Sequence, residues 1–224
     1  MRYLFLLAVI VTLAACQSEK ITSKYIFADF FVRYLETERQ LKAHAAFFEG
    51  DSLETATPII FETNVKLQNF EMKPRQVEED KRIRYVFNGT GAYDSTFIFQ
   101  YTDQKGRDQA FKMSMSPIRD FSVKEGASLS KGMVVTLDCD PFKANESLIL
   151  LFTSEKNQSA MAEFQGPFDL KELVVPAVQI AEVQPGVNFL YLVKKQQTIV
   201  KAPKMETTSS IEFYSKTIEV QINE

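Results

Sequence analysis

From residue 25 onward, apolar side chains recur at every second position, and this rhythm limits the possible folds more than any other feature of the chain. Successive residues of a β-strand point to opposite faces, so a period of two marks one face turned inward and one turned to water. Ile26, Ala28, Phe30, Val32 and Tyr34 form one such row, with Asp29 and Arg33 on the other face. Leu41, Ala43, Ala45 and Phe47 form a second, against Gln40, Lys42 and His44. Ile83, Tyr85 and Phe87 alternate with Arg82, Arg84 and Asn88. Phe97, Phe99 and Tyr101, then Phe111, Met113 and Met115, flank the polar stretch Asp103-Gln104-Lys105-Gly106-Arg107, the pattern of a hairpin. Met133, Val135, Leu137 and Cys139 continue the series. Leu148, Leu150 and Phe152 alternate with Ile149 and Leu151, which predicts a central strand covered on both faces. Phe189, Tyr191 and Val193 read as a further inward row. Ile211 and Phe213 change parity with Ile218, Val220 and Ile222 around Ser215-Lys216-Thr217, where a β-bulge is expected.

The segment from Phe30 to Ala46 contains good helix formers, yet its alternation on either side of Glu36-Thr37-Glu38 fits two strands better. No segment beyond residue 24 has convincing helical periodicity. Phe and Tyr are abundant, at 19 and 8 residues, and Trp is absent. Broad rings suit a half-buried pleated surface, so composition agrees with the period. The expected class is all-β, as two tandem antiparallel β-sandwiches over residues 25–116 and 119–224. Ser116-Pro117-Ile118-Arg119 is the natural seam, because proline cannot donate to a ladder and restricts the residue before it. In this pattern the chain resembles the tandem immunoglobulin-like modules of envelope lipoproteins, without the Cys…Trp…Cys marker of true immunoglobulin domains. A single elongated β-domain, or prealbumin-like modules, is the alternative.

The N-terminus has a different logic. Arg2 precedes an uncharged run from Tyr3 to Ala15 that ends in Leu13-Ala14-Ala15-Cys16. The run is shorter than the roughly 20 apolar residues of a spanning helix, and small residues precede the cysteine, as in a secretory signal. Leu13-Ala14-Ala15-Cys16 resembles the bacterial lipobox. The resemblance implies a signal peptide at 1–15 and a Cys16 that receives diacylglycerol and, after cleavage, becomes an acylated N-terminus. Residues 16–24 would be a lipidated tether, with membrane lipid, through palmitate-like chains, as the first partner. Gln17 and Ser18 differ from the aspartate that marks inner-membrane retention, so the outer membrane is the expected location.

Composition narrows the function. A formal charge of −3 gives no basic stripe to neutralise phosphates, so nucleic acid is not expected as a partner. With Cys16 assigned to lipid, Cys139 stands alone and reads as a small buried hydrophobe flanked by Asp138 and Asp140. His44 is the only histidine, which leaves nothing for a histidine-based zinc site and one candidate base for a triad. It lies on a polar strand face and reads as solvated. Asp138 and Asp140, with Asn145 and Glu146 nearby, form a conceivable calcium cradle, but the spacing of a calcium loop is absent and no metal or cofactor is expected. The Asn88-Gly89-Thr90-Gly91 stretch reads as a tight turn, since no Walker lysine follows. Tyr25, Phe27 and Phe31 surround Asp29 on the face opposite the first inward row. They are a candidate binding face for a sugar or another envelope protein, with burial beneath a neighbouring element as the alternative. The expected protein is therefore a non-enzymatic, lipid-anchored binding or scaffolding component of the cell envelope. A glycan-binding accessory lipoprotein, or an accessory hydrolase with unidentified carboxylates, is the alternative.

Overall fold

The computed structural model describes residues 24–61, 63–77 and 82–224; the expected signal peptide, Cys16 and the expected tether up to residue 23 lie outside them. The alternating rows become β1 (Tyr25–Leu35), β2 (Gln40–Gly50), β7 (Ile83–Thr90), β8 (Thr96–Thr102) and β9 (Asp108–Ser114); four short strands that no row announced, β3 (Thr57–Pro58), β4 (Lys66–Leu67), β5 (Phe70–Glu71) and β6 (Lys73–Gln76), lie between β2 and β7. After Pro117 come β10 (Ile118–Val123), β11 (Met133–Cys139), β12 (Glu146–Ser154), β13 (Ser159–Gln165), β14 (Glu172–Val175), β15 (Gly186–Ala202), β16 (Met205–Tyr214) and β17 (Ile218–Ile222). The fold is all-β: the described residues contain no α-helix, only a 3₁₀ turn at Ala177–Ile180. None of their helical segments is long and apolar enough to cross a membrane.

Three sheets account for the strands. A ten-stranded sheet has the order β13-β12-β15-β16-β1-β2-β7-β6, with β17 on β15 and β3 on β2. A four-stranded sheet runs β5-β4-β8-β9, and a three-stranded sheet runs β10-β11-β14. The inward row of β1 meets the four-stranded sheet through Phe30, whose ring lies 4.9 Å from Phe99 and 4.4 Å from Phe111. Val135 and Leu137 of the three-stranded sheet are buried with Leu150, Leu190 and Leu192 in the same continuous core. Both smaller sheets thus pack on one face of the long sheet, the sandwich arrangement.

The expected seam falls on the short link between β9 and β10. Strands before it build one side of the long sheet and the four-stranded sheet; strands after it build the other side and the three-stranded sheet. The long sheet does not stop at the seam, in contrast to two separately closed sandwiches. β1 pairs in parallel with β16, from Ile26 opposite Met205 to Leu35 opposite Tyr214. Beneath this ladder Tyr34, Tyr93 and Phe213 form an aromatic trio with centroids 5.0 to 5.8 Å apart. Alternation within a strand says which residues face inward but not which strand will be the neighbour, so this ladder was not visible in the pattern.

β8 and β9 form the expected hairpin around Asp103. β12 is central, paired with β13 and β15, but it is covered on one face only: Leu148, Leu150 and Phe152 are buried, while Ile149 and Leu151 are half-buried on the other side. Residues 215–217 lie opposite Tyr191 and Leu192, one residue in excess, so β17 continues β16 along β15 with its parity reversed. Ser215 secures the irregularity: its Oγ accepts the Leu192 N–H at 2.9 Å and its own N–H donates to the Leu192 carbonyl at 2.9 Å. The inward row of β15 requires correction. Leu190, Leu192 and Lys194 face the core, and Phe189 is 42% exposed on the other side.

Because the trio bridges the two segments, Phe213→Ala should lower stability by about 3–5 kcal/mol. Urea unfolding followed by far-UV and aromatic circular dichroism should show one transition, shifted equally by both probes. Two separated midpoints would mean that the segments unfold independently.

Candidate functional site

The face of the long sheet that turns away from both smaller sheets carries the residues singled out on β1. Pleating puts Tyr25, Phe27, Asp29, Phe31 and Arg33 there together, and the register adds His44 of β2 and Glu212 of β16. His44 lies opposite Phe31 and stacks on its ring at 4.9 Å, while its Nε2 is 3.2 Å from Asp29 Oδ2. The histidine is therefore packed and paired, not simply solvated. Arg33 lies over the Phe31 and Tyr214 rings at 5.3 and 5.2 Å, and its Nε donates to Glu212 Oε2 at 2.9 Å. The guanidinium is held by a carboxylate on one side and ring faces on the other.

Tyr25, Phe27 and Phe31 are all partly exposed. The Tyr25 hydroxyl donates to the Ala202 carbonyl at 2.9 Å, and its ring lies 5.7 Å from Phe27. Phe27 and Asp29 border a shallow cleft of about 190 Å³ closed by Phe48, Leu53, Arg82 and Arg84. Across β16 the same face continues with Tyr214 and Tyr191, whose rings are 6.2 Å apart, then Phe189 and, on β13, Met161, which is 64% exposed. Ala46, Phe48 and Val193 are buried on this face yet lie outside the main core. Half-buried rings and aliphatic side chains thus run across the strands in a band, interrupted by charges of both signs.

A second polar group lies on the inner face and was missed in the sequence. Lys194 is 0% exposed and Glu146 is 1% exposed, and Lys194 Nζ lies 3.2 Å from Glu146 Oε2. Gln196 Nε2 donates to Glu146 Oε1 at 3.1 Å, and the Lys143 N–H donates to Oε2 at 3.1 Å. Lys194 also donates to Ser116 Oγ at 3.3 Å and lies 4.5 Å above the Phe142 ring. A buried charge survives only when paired and hydrogen-bonded, and both charges here are. In the sequence, Lys194 stands beside Lys195 and reads as the polar end of a strand. Its inward parity with Leu190 and Leu192 was the signal available. Through Ser116 the pair reaches the seam, so this group joins the two segments and carries no open approach for a substrate.

Cys139, Asp138 and Asp140 lie at the end of β11. Arg119 ties the two carboxylates together, with Nε 2.9 Å from Asp138 Oδ1 and an Nη 2.8 Å from Asp140 Oδ1. The carboxylates proposed for a calcium cradle are thus engaged by an arginine, and Glu146 is engaged by Lys194. Among the described residues no group of three or more His, Cys, Asp or Glu is placed to hold a metal ion. Cys139 has the inward parity expected of it but is only partly buried at the strand end. Burial pushes its thiol above the ordinary range; Lys194 and Arg119 pull it down, and Asp140 and Asp138 push it further up. Comparison of the chain with family models and with curated proteins finds no match in either.

Two outcomes follow from these groups. Lys194→Met should destabilise the fold by about 3–5 kcal/mol in urea titrations, because it leaves Glu146 buried without a counter-charge. Adding Glu146→Gln, which keeps an acceptor for Gln196, should restore most of the loss. Cys139 should react with iodoacetamide more slowly than a free cysteine at neutral pH, since burial favours the protonated thiol. Its rate should rise only at a pH above that of a model thiol, and faster labelling than the model thiol would contradict the assigned environment.

Proposed function

We propose that this protein is held at the outer membrane through acylated Cys16 and acts, without catalysis, as a binding or scaffolding component of the cell envelope. The observation that carries this reading is the open face of the ten-stranded sheet, with its band of half-buried rings from Phe31 to Tyr191. Apolar area of this kind gains free energy when a partner removes it from water. The charges among the rings are of both signs: Arg33 lies beside Glu212 and Lys201 beside Glu206. A mixed pattern suits a protein surface of complementary charges better than a polyanion or an anionic bilayer. The partner proposed is therefore another envelope protein. A sugar-binding platform is supported less well, because Phe31 and Tyr214 already have Arg33 over their rings.

The acyl chains would supply the membrane hold, at about 0.8 kcal/mol for each buried methylene. Cys16→Ser should abolish labelling by an alkyne fatty acid and move the protein from the membrane pellet to the soluble fraction. A photo-crosslinking residue at Phe31 or Tyr191 should capture a discrete protein in intact envelopes, whereas one at Ile98, on the four-stranded sheet, should not. Crosslinks from Ile98 alone would place the working surface elsewhere.

A further inference from the structure

At the end of the sandwich between β1, β2 and the β8–β9 hairpin, a pocket of about 420 Å³ opens beside Lys24. We infer that this pocket binds a small amphiphile with a single anionic head, its apolar body seated on Phe47, Phe61 and Tyr101. The floor is aromatic and mutually braced: Phe47 lies 4.7 Å from Phe61 and 4.6 Å from Tyr101, and Phe61 lies 5.3 Å from Tyr101. Ile26, Ile59 and Met205 complete an apolar wall. The volume falls within the range of small-molecule sites, which combine such walls with a few polar groups at the mouth.

The mouth determines the charge of the ligand. Lys24, Lys105, Arg107 and Lys204 surround it, against Glu49 and Asp103. Asp103 is already engaged: it accepts the Lys105 and Arg107 N–H groups at 2.9 and 3.0 Å, and its other oxygen lies 2.7 Å from an Arg107 Nη. These bonds hold its carboxyl well below the ordinary range, so it remains ionised and occupied with Arg107. They also fix the hairpin that carries Lys105. Among the described residues, Lys24, Lys105 and Lys204 have no acidic partner, and Glu49 is the one lining carboxylate besides Asp103. An anionic head at the mouth would find cations that need no other pairing to be broken, while a cationic head would be repelled. The lysines are point charges on flexible stems, so a carboxylate or a phosphate monoester would serve equally as the head.

The absence of tryptophan from the chain provides a direct assay. Phe61→Trp places the only indole in the floor, and Gln104→Trp places it at the exposed rim in a variant that does not disturb the core. Bromoundecanoate quenches an indole on contact. Saturable quenching of both variants is expected, about tenfold weaker after Lys105→Glu with Lys204→Glu, and absent with bromoundecyltrimethylammonium. Equal quenching by the cationic probe, or quenching unaffected by the two charge reversals, would overturn the proposal. So would the lack of saturable quenching in a folded Gln104→Trp protein.

Discussion

The parallel ladder between β1 and β16 is the interaction on which the rest of the structure depends. Each flanking strand has its other edge occupied, β1 by β2 and β16 by β15, so this pairing turns two half-sheets into one of ten strands. It also sets the position of the layer beneath. Phe213 lies opposite Tyr34 across the ladder, and Tyr93 fits against both from the turn between β7 and β8. The Tyr93 hydroxyl then donates to the Met115 carbonyl at 2.8 Å, next to the seam. Extending the same contact, the Glu36 N–H donates to the Tyr214 carbonyl at 3.0 Å where β1 ends. The link at Ser116-Pro117 is therefore not a free joint, because backbone bonds and packed rings cross beside it.

The open face follows from the same construction. Two smaller sheets packed on one side of a long sheet leave the other side without a layer of its own among the described residues. The chain limits the exposure with local devices. Arg33 covers two rings, His44 covers Phe31, and Arg82 lies 5.1 Å from the Phe48 ring centre. Long cationic side chains can shield aromatic surface while keeping their charge in contact with water. The result is a face that is tolerated in water yet keeps apolar area available.

Most of the longer strands and their inward faces were legible because period two is a local property; strands of two to four residues, such as those between Thr57 and Gln76, are too short to show a period. Phe30, Phe47, Phe97 and Leu150 were placed inward from neighbours two positions away, and all are buried. The bulge near Ser215 was legible for the same reason. Pairing between strands distant in the chain was not, since nothing in residues 26–35 names residues 205–214 as their neighbours. The row of β15 was misassigned because Lys194 was read by its charge; its inward place depends on Glu146, which is 48 positions distant in the chain and directly diagonal in the sheet. Tyr25, Phe27 and Phe31 were recognised as a surface group from parity, but their extension through Tyr214 and Tyr191 required the register of two further strands. The apolar pocket was invisible for a related reason, as its walls come from β1, β2, the segment at Ile59 and a distant hairpin.

The length of chain between the two strands of the ladder governs how the molecule can be made. Arg33 and Glu212, paired across it, are 179 positions apart. A strand that emerges first must therefore keep one edge vacant until almost the whole polypeptide has been synthesised. Contacts of such high order slow folding, because loop closure precedes the gain from pairing. During that interval the vacant edge can accept a strand from another nascent copy, so intermolecular pairing competes with completion of the sheet.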